Sequence, residues 1–300
     1  MLHLGRLRLL RELSERKTIA AVADALQFTP SAVSQQLAML EREAGVPLLE
    51  RAGRGVRLTD AALVLVTHAE ALLERAAVAE AELAAASGTV AGRARIAGFE
   101  SVALRLALPA MERLASEAPA LRCEFVEGEP EAALPALALG DIDLVIGDEW
   151  EYQPLRLPAG VERVELLRDP VRLVLPAGHP PARLADLAGE RWATGPAGLG
   201  WDEMTLRLCR DLGGFEPDVA HRTNDATIAT ALVARGLAVT LLPELALALY
   251  GGVAMHPIAE RPVSRMIFAA TRVADAARPS TRALLQAIRY AASAEAASSV

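Results

Sequence analysis

The chain has 300 residues, of which 52% are hydrophobic and 23% charged, a balance typical of a globular protein with two or three domains. The opening segment "MLHLGRLRLLRELSERK" breaks every apolar run with arginine or glutamate, which excludes the apolar core of a signal peptide and a membrane span there. The two cysteines, Cys123 and Cys209, match no disulfide framework or metal spacing, so we expect reduced thiols and a cytoplasmic protein.

The charge is unevenly spread along the chain. Residues 1–60 hold nine lysines or arginines and seven acidic residues, a net charge of +2, so the other 240 residues must carry −9 to give the total of −7. A weakly basic head on an acidic body is compatible with a small DNA-binding module, because the local field matters more to a nearby partner than the total charge.

Three helices are predicted in the first 45 residues. Leucines at positions 4, 7, 10 and 13 recur every three residues and indicate the first helix. Thr18 is a suitable N-cap for the second. Thr29 can cap a third helix that has Pro30 in its first position, where the missing N–H costs nothing, and Gly45 at its end.

The stretch "PLLERAGRGVRLT" follows the third helix and predicts two short strands around Gly53 and Gly55. Arg51, Arg54 and Arg57 lie on or beside this hairpin. Two helices joined by a tight turn and followed by a basic hairpin form the winged helix-turn-helix arrangement of DNA-binding domains, which we place at residues 1–59.

The polar face of the third helix carries neutral hydrogen-bonding groups. Ser31, Ser34 and Gln35 are spaced by three and four and therefore share this face. The first turns of a recognition helix enter the major groove, where short donors and acceptors reach base edges and phosphates. An ordinary solvated helix with a serine-rich first turn is the alternative. The predicted DNA-binding residues are Thr29, Pro30, Ser31, Ser34, Gln35, Arg51 and Arg54.

A long helix is predicted at residues 60–87. An apolar seam with alternating spacings of four and three runs through Leu58, Ala62, Leu65, Ala69, Leu72, Ala76, Ala79 and Leu83. This heptad pattern favours a dimerisation helix, which would place two recognition helices on two half-sites. The alternative is a core helix packed on its own domain.

The order of these parts resembles the LysR-type transcriptional regulators. The segment "AAVADALQFTPSAVSQQLAMLEREAGVPLLER" is similar to the N-terminal signature of that family, and "RGVRLTDAA" to its wing running into its linker helix. The resemblance implies an inverted-repeat operator of double-stranded DNA, a homodimer or homotetramer, and an unidentified small-molecule effector, with no cofactor or metal. Pro30 and Gln35 stand where many members carry glutamine and arginine, which implies fewer base contacts and weaker phosphate contacts.

Residues 88–300 alternate strands with helices. Apolar strands such as "RARIAGF" and "DLVIG" predict a parallel sheet covered on both faces, and a second set of elements begins with "VELL" and "VRLVLP" as separate strands. We predict an α/β effector domain of two lobes linked by two crossings: lobe 1 at about 91–160 and 265–300, and lobe 2 at about 161–264. It resembles the effector domain of LysR-type regulators and periplasmic binding proteins.

Ligands in such sheets bind beyond the C-terminal ends of the strands, where helix N-termini point. The predicted effector-binding residues at these places are Glu100, Ser101, Gly128, Glu129, Thr194, Pro196, Thr223 and Asn224. Simple helix capping is the alternative for Ser101 and Thr223. If Glu100, Glu127 and Glu129 face the cleft, they favour an effector with an amino group or another cation.

Rival functions account for less of the sequence. The five histidines show no metal spacing, a G-x-S-x-G elbow is absent, and "GRG" at 53–55 lacks a Rossmann context, so we expect no enzyme. A cytosolic solute-binding protein without regulatory output would explain the two lobes but needs no winged head. The sequence therefore predicts a ligand-responsive transcriptional regulator with DNA and itself as partners and no membrane association.

Overall fold

The computed structural model describes residues 1–53, 55–151, 153–247 and 252–298, so the predicted DNA contact Arg54 lies outside the described residues. The chain divides into two units: Met1–Gly88 with Ala274–Arg278, and Thr89–Val273 with Pro279–Val300. Within the described ranges, no helix is long and apolar enough to cross a membrane.

The first unit begins with the predicted three helices and hairpin. They are α1 (Leu4–Arg16), α2 (Ile19–Leu26), α3 (Pro30–Ala44), β1 (Leu49–Ala52) and β2 (Gly55–Leu58). The predicted caps are confirmed, because the hydroxyl of Thr18 accepts from the Ala21 amide at 3.1 Å and that of Thr29 from the Ala32 amide at 3.2 Å. Gly45 ends α3 with a φ of 72°, a conformation that glycine adopts without strain.

The side chain of Glu41 fixes the position of the hairpin on α3. Its carboxylate accepts from the backbone amides of Leu48 and Leu49 at 2.8 and 3.0 Å. The core of this unit is formed by apolar residues of all three helices and of the segment before β1, including Leu10, Val22, Val33, Leu37, Leu40 and Leu48. Helix α3 and the hairpin are therefore held by one core and by a charge-assisted pair of hydrogen bonds.

Helix α4 (Asp60–Ser87) has the bounds that the sequence predicts, but the predicted seam does not run along one free face. Ala62, Val66 and Ala69 are buried in the core of the first unit, and Leu65 packs against the same core. The first half of the predicted dimer seam therefore packs within its own unit, against α1, as the alternative had it. Leu72 and Leu83 in the second half are 48% and 73% exposed.

The second unit contains the remaining elements, α5 to α11 and β3 to β11. In chain order they are β3 (Gly92–Gly98), α5 (Glu100–Val102), a π-helical segment (Ala103–Ala107), α6 (Leu108–Glu117), β4 (Leu121–Glu127), α7 (Pro130–Leu139), β5 (Leu144–Glu149), β6 (Val161–Pro176), β7 (Arg191–Thr194), α8 (Gly200–Leu208), a second π-helical segment (Cys209–Gly213), β8 (Asp218–Arg222), α9 (Ala226–Ala234), β9 (Thr240–Pro243), α10 (Glu244–Leu247), β10 (Val253–Pro257), β11 (Ser264–Arg272) and α11 (Pro279–Ser298).

The main sheet has the order β10-β6-β11-β5-β3-β4, with β9 also paired to β6. Strand β3 runs parallel to β4 and β5, whereas β11 is antiparallel to β5 and β6, and β9 and β10 are antiparallel to β6. The expectation of a parallel sheet therefore holds only for the three strands of lobe 1 that alternate with helices. Strands β7 and β8 form a separate parallel pair.

Strand β6 departs most from the sequence prediction. It is one strand of 16 residues rather than the two predicted strands "VELL" and "VRLVLP". Its first part pairs with β11 up to Pro170, and its second part pairs with β9 and β10. Within this strand Asp169 lies opposite Arg265 on β11, and the two side chains form an ion pair. The chain passes between the two lobes twice, along β6 and at the start of β11, and we call this place the crossing of β6 and β11. There the Val171 amide donates to the Val263 carbonyl at 2.8 Å.

The sheet of lobe 1 is covered on both faces, as its alternating side chains require. Ile96, Ile146 and Ile267 belong to the core under α6 and α11. Their neighbours Ala97, Val145 and Phe268 belong to the core under α7. Because side chains alternate between the faces, helices cover both of them. The C-terminal ends of β3, β4 and β5 are then the accessible edge of the sheet.

Candidate functional site

The predicted polar face of α3 is exposed to solvent. Ser31, Ser34 and Gln35 are all exposed. The Ser34 hydroxyl donates to the Pro30 carbonyl at 2.9 Å, and the Ser31 hydroxyl lies 3.0 Å from that of Thr29. These serine oxygens keep lone pairs for acceptance, and Gln35 presents both a donor and an acceptor, which is the chemistry that reads base edges.

A groove runs between the start of α2 and the hairpin. It is lined by Lys17, Thr18, Ile19 and Ala20 on one side and by Arg51, Gly53, Gly55 and Val56 on the other. Two cations beside a helix N-terminus suit a phosphate. Lys17 was missed by the sequence prediction, although a lysine directly before the capping residue Thr18 was a usable signal. Arg57 instead pairs with Glu50 across the hairpin at 2.5 Å.

A cavity of about 200 Å³ lies between the two lobes of the second unit. Lobe 1 contributes the C-terminal ends of β3, β4 and β5, and lobe 2 contributes the starts of α8 and α9 and the segment around β9 and α10. The acidic lining residues among those described are Glu100, Glu127, Glu129, Glu131 and Asp148. The apolar lining includes Phe99, Trp150, Leu155, Trp201, Leu242 and Pro243.

Four of the predicted effector-binding residues lie on the wall of this cavity, namely Glu100, Ser101, Glu129 and Asn224. The other four, which are Gly128, Thr194, Pro196 and Thr223, are not on that wall, and Thr194 is fully buried. The capping residue of α9 is Asp225, whose carboxylate accepts from the Thr227 and Ile228 amides. The Thr223 hydroxyl accepts from the Asp225 amide at 3.1 Å, which makes its role local.

Ser101 does not cap a helix, so the capping alternative does not hold for it. Its hydroxyl accepts a hydrogen bond from Nη2 of Arg265 at 2.9 Å. Arg265 is 5% exposed and also donates from Nε to Asp169 at 2.9 Å and from Nη1 to Asp148 at 3.0 Å. Its guanidinium carbon lies 5.0 Å from the centre of the Phe99 ring. The sequence prediction missed Arg265, whose signal was a charge at the head of the apolar strand "RMIFAAT".

Two carboxylates share the single guanidinium of Arg265. Burial raises the pKa of Asp148 and of Asp169, and Arg265 acts in the opposite direction on both. The backbone amide of Leu245 also donates to Asp169 at 3.0 Å. This cluster of Arg265, Asp148 and Asp169 lies at the crossing of β6 and β11, where the chain passes between the lobes. It therefore links the floor of the cavity to that crossing.

A direct polar contact spans the cavity from one lobe to the other. Nδ2 of Asn224 in lobe 2 donates to Oε1 of Glu129 in lobe 1 at 2.7 Å. Burial raises the pKa of Glu129 and the Asn224 hydrogen bond lowers it; the charges of Asp148 and Glu131 raise it further, the charge of Arg265 lowers it, and the net shift is upward. Glu129 is therefore a carboxylate whose ionised form is poorly compensated.

Metal and thiol chemistry have little support. Among the residues that the structure describes, no group of three or more His, Cys, Asp or Glu could hold a metal ion. Cys123 and Cys209 are free thiols. Burial raises the pKa of Cys209 to about 12, which disfavours the reactive thiolate.

Both units match known protein families. The family model described as "Bacterial regulatory helix-turn-helix protein, lysR family" matches residues 4–63. The family model described as "LysR substrate binding domain" matches residues 87–293, more than half of the chain. A helix-turn-helix match is not expected of a solute-binding protein without regulatory output, so that alternative has no support.

Similar proteins are named as transcriptional regulators. The transcriptional dual regulator GltC of Bacillus subtilis (strain 168) is 27% identical over 248 residues, which are 81% of this chain and 81% of that protein. The HTH-type transcriptional regulator ShiR of Corynebacterium glutamicum (strain R) is 31% identical over 239 residues, which are 74% of this chain and 79% of that protein.

Solved structures share the fold over nearly the whole chain. A full-length OxyR variant from Pseudomonas aeruginosa superposes with a TM-score of 0.70 at 22% identity, covering 96% of this chain and 95% of that one. Full-length CbnR in complex with its target DNA superposes with a TM-score of 0.53 at 23% identity, covering 97% of this chain and 100% of that one.

Proposed function

The chain belongs to the LysR family of transcriptional regulators, and we propose on that premise that α3 and the hairpin bind its operator while the cavity between the lobes binds its effector. It is a DNA-binding regulator with a small-molecule-binding domain. The observation that carries the assignment of α3 is its exposed face of neutral donors and acceptors, next to a groove with two cations.

On the operator, the two parts of this surface have different tasks. Ser31, Ser34 and Gln35 approach base edges in the major groove, and Lys17 and Arg51 bind phosphates beside it. Thr29 and Pro30 start the helix and fix its entry into the groove. Base contacts supply sequence preference and phosphate contacts supply affinity that depends on salt.

The regulator acts in the cytoplasm as a homodimer on an inverted repeat. The exposed second half of α4, with Leu72 and Leu83, supports self-association there. This free part of the seam is short, so further contacts between copies are needed, which favours a tetramer. Two heads related by a two-fold axis match an operator with two-fold symmetry. The cavity binds and senses its ligand without turning it over.

The test uses double-stranded DNA selected by the purified wild-type protein from a randomised library. We expect an enriched inverted repeat, and a Ser34→Ala, Gln35→Ala double variant should lose about 1–3 kcal/mol of binding free energy for each lost base contact. Arg51→Ala should weaken binding to all sequences alike and reduce the slope of affinity against salt by about one. Affinity is measured by fluorescence anisotropy.

Ser116→Ala is the matched control, because the Ser116 hydroxyl also donates to a helix carbonyl on an exposed surface, but in the second unit. It should bind the selected DNA like the wild type. A double variant on α3 with wild-type affinity and sequence preference would remove the assignment of the recognition helix.

A further inference from the structure

We propose that the cavity selects a small organic cation, and that an ammonium or guanidinium group of this effector replaces the Asn224 side chain on Glu129. The inference rests on the proposed effector role of the cavity and adds the chemical class of the ligand. Three observations support the inference: the excess of carboxylates on the described wall, the pairing of Arg265 with two carboxylates, and the apolar surface that lies opposite the acidic side chains.

The described acidic wall carries one cation, and that cation is already paired with two carboxylates. Among the described residues that line the cavity, five are carboxylates and Arg265 is the only cation. Each nitrogen of Arg265 already donates within the protein: Nε to Asp169, Nη1 to Asp148 and Nη2 to Ser101. An anionic effector would meet repulsion from the remaining carboxylates, and the charge of Arg265 is already shared by Asp148 and Asp169, so the wall disfavours it.

The rest of the wall fits an organic body rather than a metal ion. Trp150, Trp201 and Leu242 give the cation an apolar surface against which carbon atoms can pack. Nε1 of Trp201 donates to the Leu241 carbonyl at 2.7 Å, which fixes that ring in place. A volume of about 200 Å³ has room for roughly six or seven water-sized groups, so the ligand is a small molecule.

Glu129 is the carboxylate with the clearest need for a charged partner. It is partly buried near the charges of Asp148 and Glu131, which the charge of Arg265 offsets only in part, and it accepts a hydrogen bond from the neutral amide of Asn224. A charged donor makes a shorter and stronger hydrogen bond with a carboxylate than an amide does. Exchange of Asn224 for the ligand would also change the contact that joins the lobes, which links cation binding to their arrangement.

The test is a thermal-shift and calorimetric screen of the full-length protein with matched triplets of probes. Each triplet has one carbon skeleton and three charges, such as 1,4-diaminobutane, 1,4-butanediol and succinate, or phenethylamine, phenylethanol and phenylacetate. We expect stabilisation by at least one amine and by none of the neutral or anionic partners. Glu129→Gln should weaken binding of that amine at least about tenfold.

Glu112→Gln removes one carboxylate from the exposed surface of α6 and is the control for a general charge effect. It should bind the amine like the wild type. An anion that binds while the amines do not would overturn the cation inference but leave the effector cavity in place. Equal binding of the amine to wild type and Glu129→Gln would overturn the inference as well, since the site is then elsewhere. Failure of every probe would also overturn it, whereas the proposed operator function is judged separately by DNA binding.

Discussion

At the scale of single residues, the second unit accepts uncompensated buried charge beside its cavity. Asp148 and Asp169 share Arg265, and Glu129 accepts its hydrogen bond from the neutral side-chain amide of Asn224. A buried ion pair brings little net stability, and a carboxylate without a charged partner brings a cost. The sequence identified Glu129, Ser101 and Asn224 because each follows a strand or starts a helix. It could not show Arg265 as their partner, since that contact joins positions 164 residues apart.

The first prediction at this scale concerns Glu129 and pH. Burial raises the pKa of Glu129 above its ordinary value of 4.5, so the folded state binds this proton more tightly than the unfolded state does. The ionised side chain therefore destabilises the fold at pH above the raised value, and the penalty vanishes as the pH falls below the ordinary one. Glu129→Gln keeps an acceptor for Asn224 and should raise the melting temperature at pH 7, with no gain near pH 4.

Differential scanning calorimetry over this pH range checks the prediction, with Glu112→Gln as the exposed control. A variant that melts below the wild type at pH 7 would show that the ionised Glu129 stabilises the free protein. Taken together with the proposed loss of cation binding, the expected result would mean that Glu129 is retained for its ligand at the expense of stability.

At the scale of helices and strands, local sequence signals predicted where elements begin and end. The elements that were predicted wrongly are those shaped by contacts between residues far apart in the sequence. The caps Thr18 and Thr29 were recognisable because a hydroxyl and the amide three residues later are enough to start a helix. Strand β6 was predicted as two strands, and Asp169-Pro170, a pair typical of turns, lies between them. In the fold, Arg265 neutralises Asp169 and Pro170 lies opposite Ser264 at the end of the β11 pairing.

Helix α4 shows the same division. Its heptad spacing was visible in the sequence, but the two halves of the seam have different surroundings in the structure. Ala62 and Ala69 pack in the core of the first unit, whereas Leu72 and Leu83 remain exposed. Periodicity states which side chains share a face and does not state what covers that face. The predicted dimer contact therefore moves to the second half of the helix.

The prediction for this element is that Leu72→Asp weakens the dimer. A carboxylate placed on the seam would be buried without a partner when two α4 helices associate. The head should keep its fold, because Leu72 is exposed in the single chain. Light scattering coupled to size exclusion measures the mass over a range of concentrations.

His68→Asp, at an exposed position of α4 outside the seam, is the control and should assemble like the wild type. A monomeric wild type would exclude the proposed assembly.

At the scale of the whole molecule, function requires that a ligand in the second unit alter DNA binding by the first. A ligand does so only by its difference in affinity between two arrangements of the protein. Within the second unit, the lobes are joined by the crossing of β6 and β11 and by the contact of Asn224 with Glu129. The contact of Asn224 with Glu129 lies on the cavity wall, so it is the one of these two connections that a bound ligand can replace.

The last prediction follows from this contact. Asn224→Ala removes the hydrogen bond between the lobes, so the free protein no longer differs from the liganded one at this point. Operator affinity without effector should therefore move toward that of the liganded wild type, and the further change caused by the effector should shrink. The measurement is anisotropy of the selected operator DNA with and without the amine found in the screen. Emission of Trp150 and Trp201, which line the cavity, reports its occupancy in the same samples. Thr223→Ala is the neighbouring control, because this residue lies off the cavity wall and its hydroxyl accepts from the Asp225 amide of its own turn. An Asn224→Ala protein that binds the amine and responds like the wild type would show that the signal does not pass through this contact.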